Sequence, residues 1–305
     1  MSHTVKNSNE SPHHSLLMTV KNTIKLLRIP FSLLLMPVFL LAIGQASQLN
    51  LKTTIWSFFI IHFLVYPASN GYNSYIDRDE GSIGGLEKPP MPTEHLFYVT
   101  LMLDILAVGL SLIFVKWLFS ASIFIYIIAS RMYSSKQIRL KKYPLLGFLT
   151  VVVFQGGFTF FMSTVGISDL PFDLSYANSL IMLACSLQIA GAYPLTQIYQ
   201  HQEDLKDGVI TLSYQLGYKG TFIFTAVMFA LCNVFYYFYF IQNNNSHLFY
   251  ILQVFFLPIV FYFLYWAIRV NKNKAEASFK NTMRMNLIAA VCMNSCFLLF
   301  IYLKF

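Results

Sequence analysis

Nine long apolar runs dominate this chain and leave few folds open to it. They lie roughly at 26–46, 55–70, 96–114, 117–130, 145–165, 178–198, 221–241, 248–268 and 285–302. About 20 apolar residues carry a helix across the hydrocarbon core of a bilayer. A spanning segment must satisfy its own backbone, and runs of this length do so as helices. The expected fold is therefore all-α, an integral membrane bundle of nine transmembrane helices around a central cavity. Composition agrees, with 56% hydrophobic and only 11% charged residues, which is too apolar for an ordinary soluble domain. Residues 1–20 read as a polar N-terminal tail and 21–305 as one membrane domain. No signal-peptide pattern precedes the first apolar run.

The net charge of +8 raises the question of nucleic acid, and the distribution of charge answers it. With the N-terminus inside, all of the 21 Lys and Arg residues except Lys52, Lys116 and Lys304 fall on the cytoplasmic side. That is the positive-inside pattern, so no nucleic-acid partner is needed. Eight of the 13 acids fall in two loops of the same side: Asp77, Asp79, Glu80, Glu87, Glu94, Glu203, Asp204 and Asp207. The four cysteines lie within apolar runs and read as small packing residues rather than a disulfide or zinc framework.

The two acidic segments carry one frame, an amide followed by Asp and then Gly at steps of four. The first is Asn73, Asp77, Gly81 and the second is Gln200, Asp204, Gly208. On a helix that step puts amide and Asp on one face. The segments are four spans apart, which suggests a weak parallel repeat of two four-helix halves with a ninth helix appended. Two such helix ends meeting face to face form a carboxylate-lined cup. Mg²⁺ is satisfied by one or two carboxylates plus phosphate oxygens. A solvated charged loop is the other reading of each segment. Asp77 and Asp204, with the amide carbonyls of Asn73 and Gln200, are the metal–diphosphate candidates, with Asp79, Glu80, Glu203 and Asp207 nearby.

A basic loop over 130–147 sits on the same side, with Arg131, Lys136, Arg139, Lys141 and Lys142. It reads either as a lipid-headgroup contact or as a cationic wall for diphosphate. Arg78 is a diphosphate ligand or an interfacial anchor. Lys206 neutralises product diphosphate or is a solvated loop charge. Asp104, inside the third run, must face the bundle, as a structural hydrogen-bonding group or a substrate contact. Gln155 with Gly156 and Gly157 marks a thin-walled stretch of the fifth run, suited to ligand approach or to close helix packing. Aromatic residues are 17% of the chain, suited to lipid contact or to shielding a cation.

These segments resemble motifs of the UbiA family of intramembrane prenyltransferases. Asn-Ser-Tyr-Ile-Asp-Arg (73–78) resembles its first Asp-rich motif. Glu-Asp-Leu-Lys-Asp-Gly-Val-Ile-Thr-Leu (203–212) resembles its second. Tyr133-Ser134 with Arg139-Leu140-Lys141 resembles its Tyr plus Arg-Leu-Lys loop, and Leu27-Arg28-Ile-Pro30 its usual start. The resemblance implies two Mg²⁺ ions bridging the Asp-rich motifs and the diphosphate of a polyprenyl donor. It also implies a lipophilic acceptor, often aromatic, and a prenyl tail in a tunnel open to membrane lipid. It places Asp77, Asp204, Arg139 and Lys141 in catalysis and Arg78, Tyr133, Arg139, Lys141 and Lys206 at the diphosphate. The metal set is Asn73, Asp77, Gln200 and Asp204. Three family acids are replaced here, by Ser74, Gly81 and Gln200. The expected activity is Mg²⁺-dependent prenyl transfer to an aromatic or quinone-precursor-like acceptor. A terpene cyclase of the same fold and a secondary transporter are the alternatives. Against transport stands the absence of a strongly broken helix in both halves. The expected location is an inner bacterial membrane with cytoplasmic active-site loops.

Overall fold

The structure is a computed structural model that describes residues 12–304. Among the described residues nine helices are long and apolar enough to cross a membrane. They are α1 (Leu17–Gln45), α2 (Leu51–Asp77), α3 (Glu94–Phe114), α4 (Trp117–Ser134), α5 (Pro144–Ile167), α6 (Tyr176–Gln197), α7 (Leu212–Gln242), α8 (Ser246–Lys272) and α9 (Phe279–Lys304). The protein is an all-α, multi-pass membrane bundle, with one helix for each apolar run. Helix begins at Pro12, inside the stretch expected to be tail; the expected tail at residues 1–11 lies outside the described residues.

Local chemistry sets the helix ends. Asn50, Ser175 and Thr211 cap α2, α6 and α7 by accepting from Thr53, Asn178 and Tyr214 backbone N–H groups. Each satisfies a donor that the first helical turn leaves unpaired. Pro144 opens α5, where its missing N–H is harmless. α2 stops at Arg78, which adopts the left-handed conformation at φ 54° and donates its N–H to Ser74. α6 lies along α7, α9 packs back on α1, and α5 packs on both α1 and α6, closing the bundle. Outward faces, such as Leu257, Phe261, Leu264 and Ile268 of α8, expose the apolar side chains that lipid requires.

The helices are less regular than the apolar runs suggest. α1 breaks at Arg28, with φ 50°, just before Pro30, and narrows to a tight turn over Leu33–Leu35 before Pro37. α2 widens into a π-turn over Ile60–Val65 ahead of Pro67, and α5 does so over Val153–Gly157. α7 is interrupted at Gly217, with φ 65°. The interruptions at Arg28 and Gly217, one in each half, correct the reading that no strongly broken helix occurs in both halves. Proline removes an N–H and crowds the preceding turn, and π-turns gather at functional sites.

Asp104 pairs with Arg131 between α3 and α4, with the Arg131 Nε donating to the carboxylate at 2.9 Å. The guanidinium also lies 3.9 Å over the Tyr72 ring and donates to Thr100. The intramembrane acid is thus a structural group, neutralised within the bundle. All four cysteines are free, and Cys185, Cys232 and Cys296 are buried.

Removing one partner of such a pair leaves the other charge buried and alone. Arg131→Ala is expected to cost about 3–5 kcal/mol of stability, whereas Asp104→Leu with Arg131→Met recovers most of it. Thermal unfolding in detergent checks both, and equal losses in the two variants would contradict the pairing.

Candidate active site

The ends of α2, α4 and α6, the break in α1, the first half of α5 and three loops surround a polar cavity of about 220 Å³. Asn73 and Asp77 enter from the last turn of α2, one above the other on a single face. Gln197 enters from the end of α6, and Gln200 and Asp204 from the short helix His201–Lys206 and its cap. That helix is anchored by buried His201, which hydrogen-bonds Ser213 at 2.8 Å and stacks on Tyr218. Burial lowers the His201 pKa to about 4, so the ring is a neutral anchor. A tight turn over Leu140–Lys142 brings in Lys141.

Inside the cavity Lys141 pairs with Asp77, and both side chains are largely buried, at 13% and 4% exposure. Asn73 Oδ1 accepts from Ser134 Oγ at 2.7 Å, which orients its amide. Gln200 Nε2 donates to the Ser82 carbonyl at 3.0 Å, tying the 6–7 loop to the 2–3 loop. The hydroxyls of Tyr133 and Tyr193 share a hydrogen bond, and Gln197 Nε2 donates to Tyr193 at 2.9 Å. Gln197 Oε1 is buried with no partner.

Asp79, Asp204 and Asp207 complete the acidic lining. Burial pushes the Asp204 carboxyl up to about 7; Lys141 pulls it down, and Asp79, Asp77 and Asp207 push it further up. Burial, with the Asp77 charge, pushes Asp79 up to about 6. Both shifts come first from burial, with the neighbouring carboxylates adding to it. Arg28 also lines the cavity. Its guanidinium donates to the Gly84 and Asn70 carbonyls at 3.1 and 3.0 Å, and its Nε is buried without a partner. Among the described residues it makes no ion pair, although it is only 8% exposed.

Of the residues singled out from sequence, Asn73, Asp77, Tyr133, Lys141, Gln200 and Asp204 line this cavity, while Arg78, Arg139 and Lys206 do not. Arg78 is exposed in its left-handed cap, 5.9 Å from the Tyr75 ring. Arg139 is half-buried at φ 47°, and Lys206 faces solvent. Sequence reasoning missed Tyr193 and Gln197 as site residues and treated Arg28 only as part of a terminal motif. Tyr193, Gln197 and Gln200 recur at helical spacing ahead of Asp204, the one signal available for them. Among the described residues no three His, Cys, Asp or Glu side chains gather closely enough to form a metal-binding group by themselves.

A second cavity, of about 240 Å³, adjoins the first and shares Asn70, Gln155, Tyr193 and Thr196 with it. Its walls are apolar, with Phe31, Leu34, Leu35, Phe229, Phe256 and Met293. A polar space and an apolar space therefore adjoin along these four residues.

Residues 33–288 match the UbiA prenyltransferase family. The chain belongs to that family. The bundle is similar to solved UbiA homologues: one from Archaeoglobus fulgidus bound to DMAPP and Mg²⁺ has 15% identity and a TM-score of 0.66 over 92% of this chain and 99% of that one. A UbiA homologue from Aeropyrum pernix K1 in its apo form has 13% identity and a TM-score of 0.65, with 89% and 98% covered. A structure described as digeranylgeranylglyceryl phosphate synthase in membranes has 19% identity and a TM-score of 0.59, with 93% and 98% covered. Likeness at such identities concerns the fold. No curated protein matches the chain. For this UbiA family member the isoprenoid-transfer chemistry of the family is the frame in which the cavity is read.

The raised acids give a signed pH dependence. A carboxyl whose folded pKa is about 7, against an ordinary 3.8, holds its proton more tightly in the folded chain. Its contribution is full at low pH and is lost as pH rises through the folded value. The metal-free protein is thus expected to lose thermal stability between about pH 5 and about pH 7, and Asp204→Asn to flatten that slope. Melting temperatures in chelator across this range test it; a stability that climbs with pH would be the wrong sign.

Proposed function

We propose that this protein ionises an isoprenoid diphosphate with the help of Mg²⁺ and transfers the prenyl group to a lipophilic acceptor, aromatic or quinone-precursor-like. The observation that carries the reading is the pair of joined cavities. One is polar, with a buried guanidinium that lacks an acidic partner; the other is apolar. A buried unpaired cation is costly unless an anion joins it. A ligand with a polyanionic head and a hydrocarbon tail matches both spaces at once.

The donor set suits a hard divalent cation. Asp77, Asp79, Asp204 and Asp207 supply carboxylate oxygens around one cavity, and Gln197 Oε1 is an unpartnered buried acceptor. Mg²⁺ takes one or two carboxylates and completes its shell with phosphate oxygens and water, so a closed protein cage is unnecessary. When bound, the ion neutralises charge on the departing diphosphate.

The chain's own residues do the rest. Lys141 and Arg28 both line the polar cavity and stabilise the charge that the diphosphate gains as the allylic C–O bond breaks. The bonding pair leaves with the diphosphate, and the cationic carbon remains near Tyr193, at the seam of the two cavities. The Tyr133–Tyr193–Gln197 hydrogen bonds hold that ring in place. The apolar walls exclude water, so that the acceptor's electron pair forms the new bond and the acceptor then loses a proton. Arg139 and Lys206, outside the lining, add positive charge around the entrance, as does Arg78. The basic side of the bundle supports a cytoplasmic active site, in an inner bacterial membrane.

The test presents purified protein with geranyl, farnesyl and geranylgeranyl diphosphates, with and without Mg²⁺, and follows diphosphate release and organic products by mass spectrometry. Release is expected to require Mg²⁺, and Asp77→Ala, Asp204→Ala and Arg28→Gln are each expected to slow it about 100-fold or more. Products formed only when an aromatic acceptor is added support transfer. A hydrocarbon formed without acceptor would assign the site to cyclisation instead. Full release by Asp77→Ala and Asp204→Ala would refute the reading.

A further inference from the structure

A groove of about 490 Å³ shares no lining residue with the two cavities above. It is lined by Glu87 of the 2–3 loop and by Phe279, Lys280, Met283, Arg284 and Leu287 of the first turns of α9. Lys280 and Arg284 stand one helical turn apart, which puts them on one face with Cβ atoms about 5–6 Å from each other. Glu87, Lys280 and Arg284 are all exposed, and none of them makes an ion pair among the described residues. Two cations and one anion thus line a single groove without neutralising one another.

The apolar residues narrow the kind of ligand that fits. Phe279, Met283 and Leu287 line the groove beside the charges. From Arg284 the same face of α9 continues as exposed Leu287, Val291 and Leu298, at steps that keep one side of a helix. α9 is one of the membrane-crossing helices, so this face runs along lipid chains with the charges at its end. Basic pockets at the ends of membrane helices take phosphate headgroups. Lys280 and Arg284 suit the phosphate, but Glu87 repels a headgroup that is purely anionic. A headgroup with an ammonium beside its phosphate complements all three side chains. A primary ammonium also brings N–H donors that a quaternary one lacks, and charge strengthens their hydrogen bonds to a carboxylate.

We propose that this groove binds one aminophospholipid, with its phosphate on Lys280 and Arg284, its ammonium on Glu87 and an acyl chain along Leu287 and Val291. The site does not depend on the prenyl chemistry proposed above, but it adjoins the segments that would carry it. Ser82 makes one link: its hydroxyl donates to the Glu87 carbonyl at 2.9 Å, and its own carbonyl accepts from Gln200. Phe279 makes the other, meeting the Tyr199 ring edge-on at 5.4 Å, one residue before Gln200. A headgroup in the groove ties the 2–3 loop to α9 beside the second acidic segment and steadies both.

Native mass spectrometry of the delipidated full-length protein in detergent tests this, with dioleoyl phospholipids that differ only in headgroup. The first phosphatidylethanolamine is expected to bind about 10-fold or more tightly than phosphatidylcholine or phosphatidylglycerol, and to raise the melting temperature. Glu87→Gln is expected to remove most of that preference and of the added thermal stability. Lys280→Gln with Arg284→Gln is expected to weaken all three lipids about 10-fold or more. The three side chains are exposed and make no ion pair, so these variants are expected to fold as wild type does. Equal binding of the three lipids by wild type would overturn the proposal. So would tighter binding of phosphatidylglycerol than of phosphatidylethanolamine, or a preference undiminished in Glu87→Gln.

Discussion

Four aspartates share one half-buried cavity at the end of this bundle, and the fold must hold them together against their own repulsion. Burial first, and then the neighbouring carboxylates, raise the pKa of Asp79 and Asp204, and like charges in a low-dielectric space favour opening. Three devices oppose that tendency. Lys141 places an ammonium at the most buried acid. Gln200 ties the 6–7 loop to the 2–3 loop at Ser82, and the Glu203 carboxylate lies against the bare Cα of Gly81. The short helix His201–Lys206 is locked from beneath by the neutral His201 ring. None of these closes the cavity, and none neutralises every charge. The excess of acids and an Arg28 without a direct ion pair, lining one cavity, suit the proposed binding of a cation and an anion together.

Membrane burial explains why the helix irregularities matter. A backbone group freed within the bilayer must find a partner inside the protein. At the α1 break the backbone pairs locally, Arg28 N–H to the Lys25 carbonyl and Phe31 and Ser32 N–H to the Arg28 carbonyl, while the Arg28 guanidinium takes the Asn70 and Gly84 carbonyls, joining α1 to α2 and to the 2–3 loop. At the α5 π-turn, the Gly157 N–H donates to Ser186 Oγ at 2.9 Å. A Cβ on Gly156 would stand 2.5 Å from Ser186 Cα, so glycine there lets α5 and α6 touch backbone to backbone. The ligand-approach and close-packing readings of this stretch are therefore compatible. The glycines pack on α6, while Gln155 lines both cavities.

The spans were legible because hydrophobic length is an additive property that a bilayer reads almost directly. Asp104 was legible for the same reason, since a charge in that setting must face inward. The cup was partly legible: a step of four residues on a helix end is a local geometry, and Asn73 with Asp77 obeys it. What escaped depends on torsions and on contacts between distant segments. Arg78 and Arg139 take positive φ, a single backbone choice that aims a side chain elsewhere and leaves no mark in composition. Tyr193 and Gln197 sit in an apolar run where a tyrosine and an amide look like ordinary packing residues. Arg28 became conspicuous only once the structure showed it buried in the cavity wall without a direct ion pair among the described residues.

The seam between the two cavities constrains the proposed reaction more tightly than either cavity alone. No charged side chain among the described residues lines the apolar space, and its polar groups are amides, hydroxyls and the ring of Tyr193. Gln188 already accepts from Tyr236 at 2.8 Å, which leaves its N–H groups for the cavity. A cation formed at the seam thus meets no strong nucleophile of the protein on the apolar side. On the polar side it meets the departing diphosphate, held by Lys141 and Arg28. Return to diphosphate and capture by an acceptor are then the competing fates. The second wins only if the acceptor is in place before the bond breaks, because water is excluded and recombination needs no diffusion. An acceptor bound among amides rather than cations must present an uncharged polar group there. Any carboxylate it carries has to lie on the Lys141 and Arg28 side, in competition with the donor's own diphosphate.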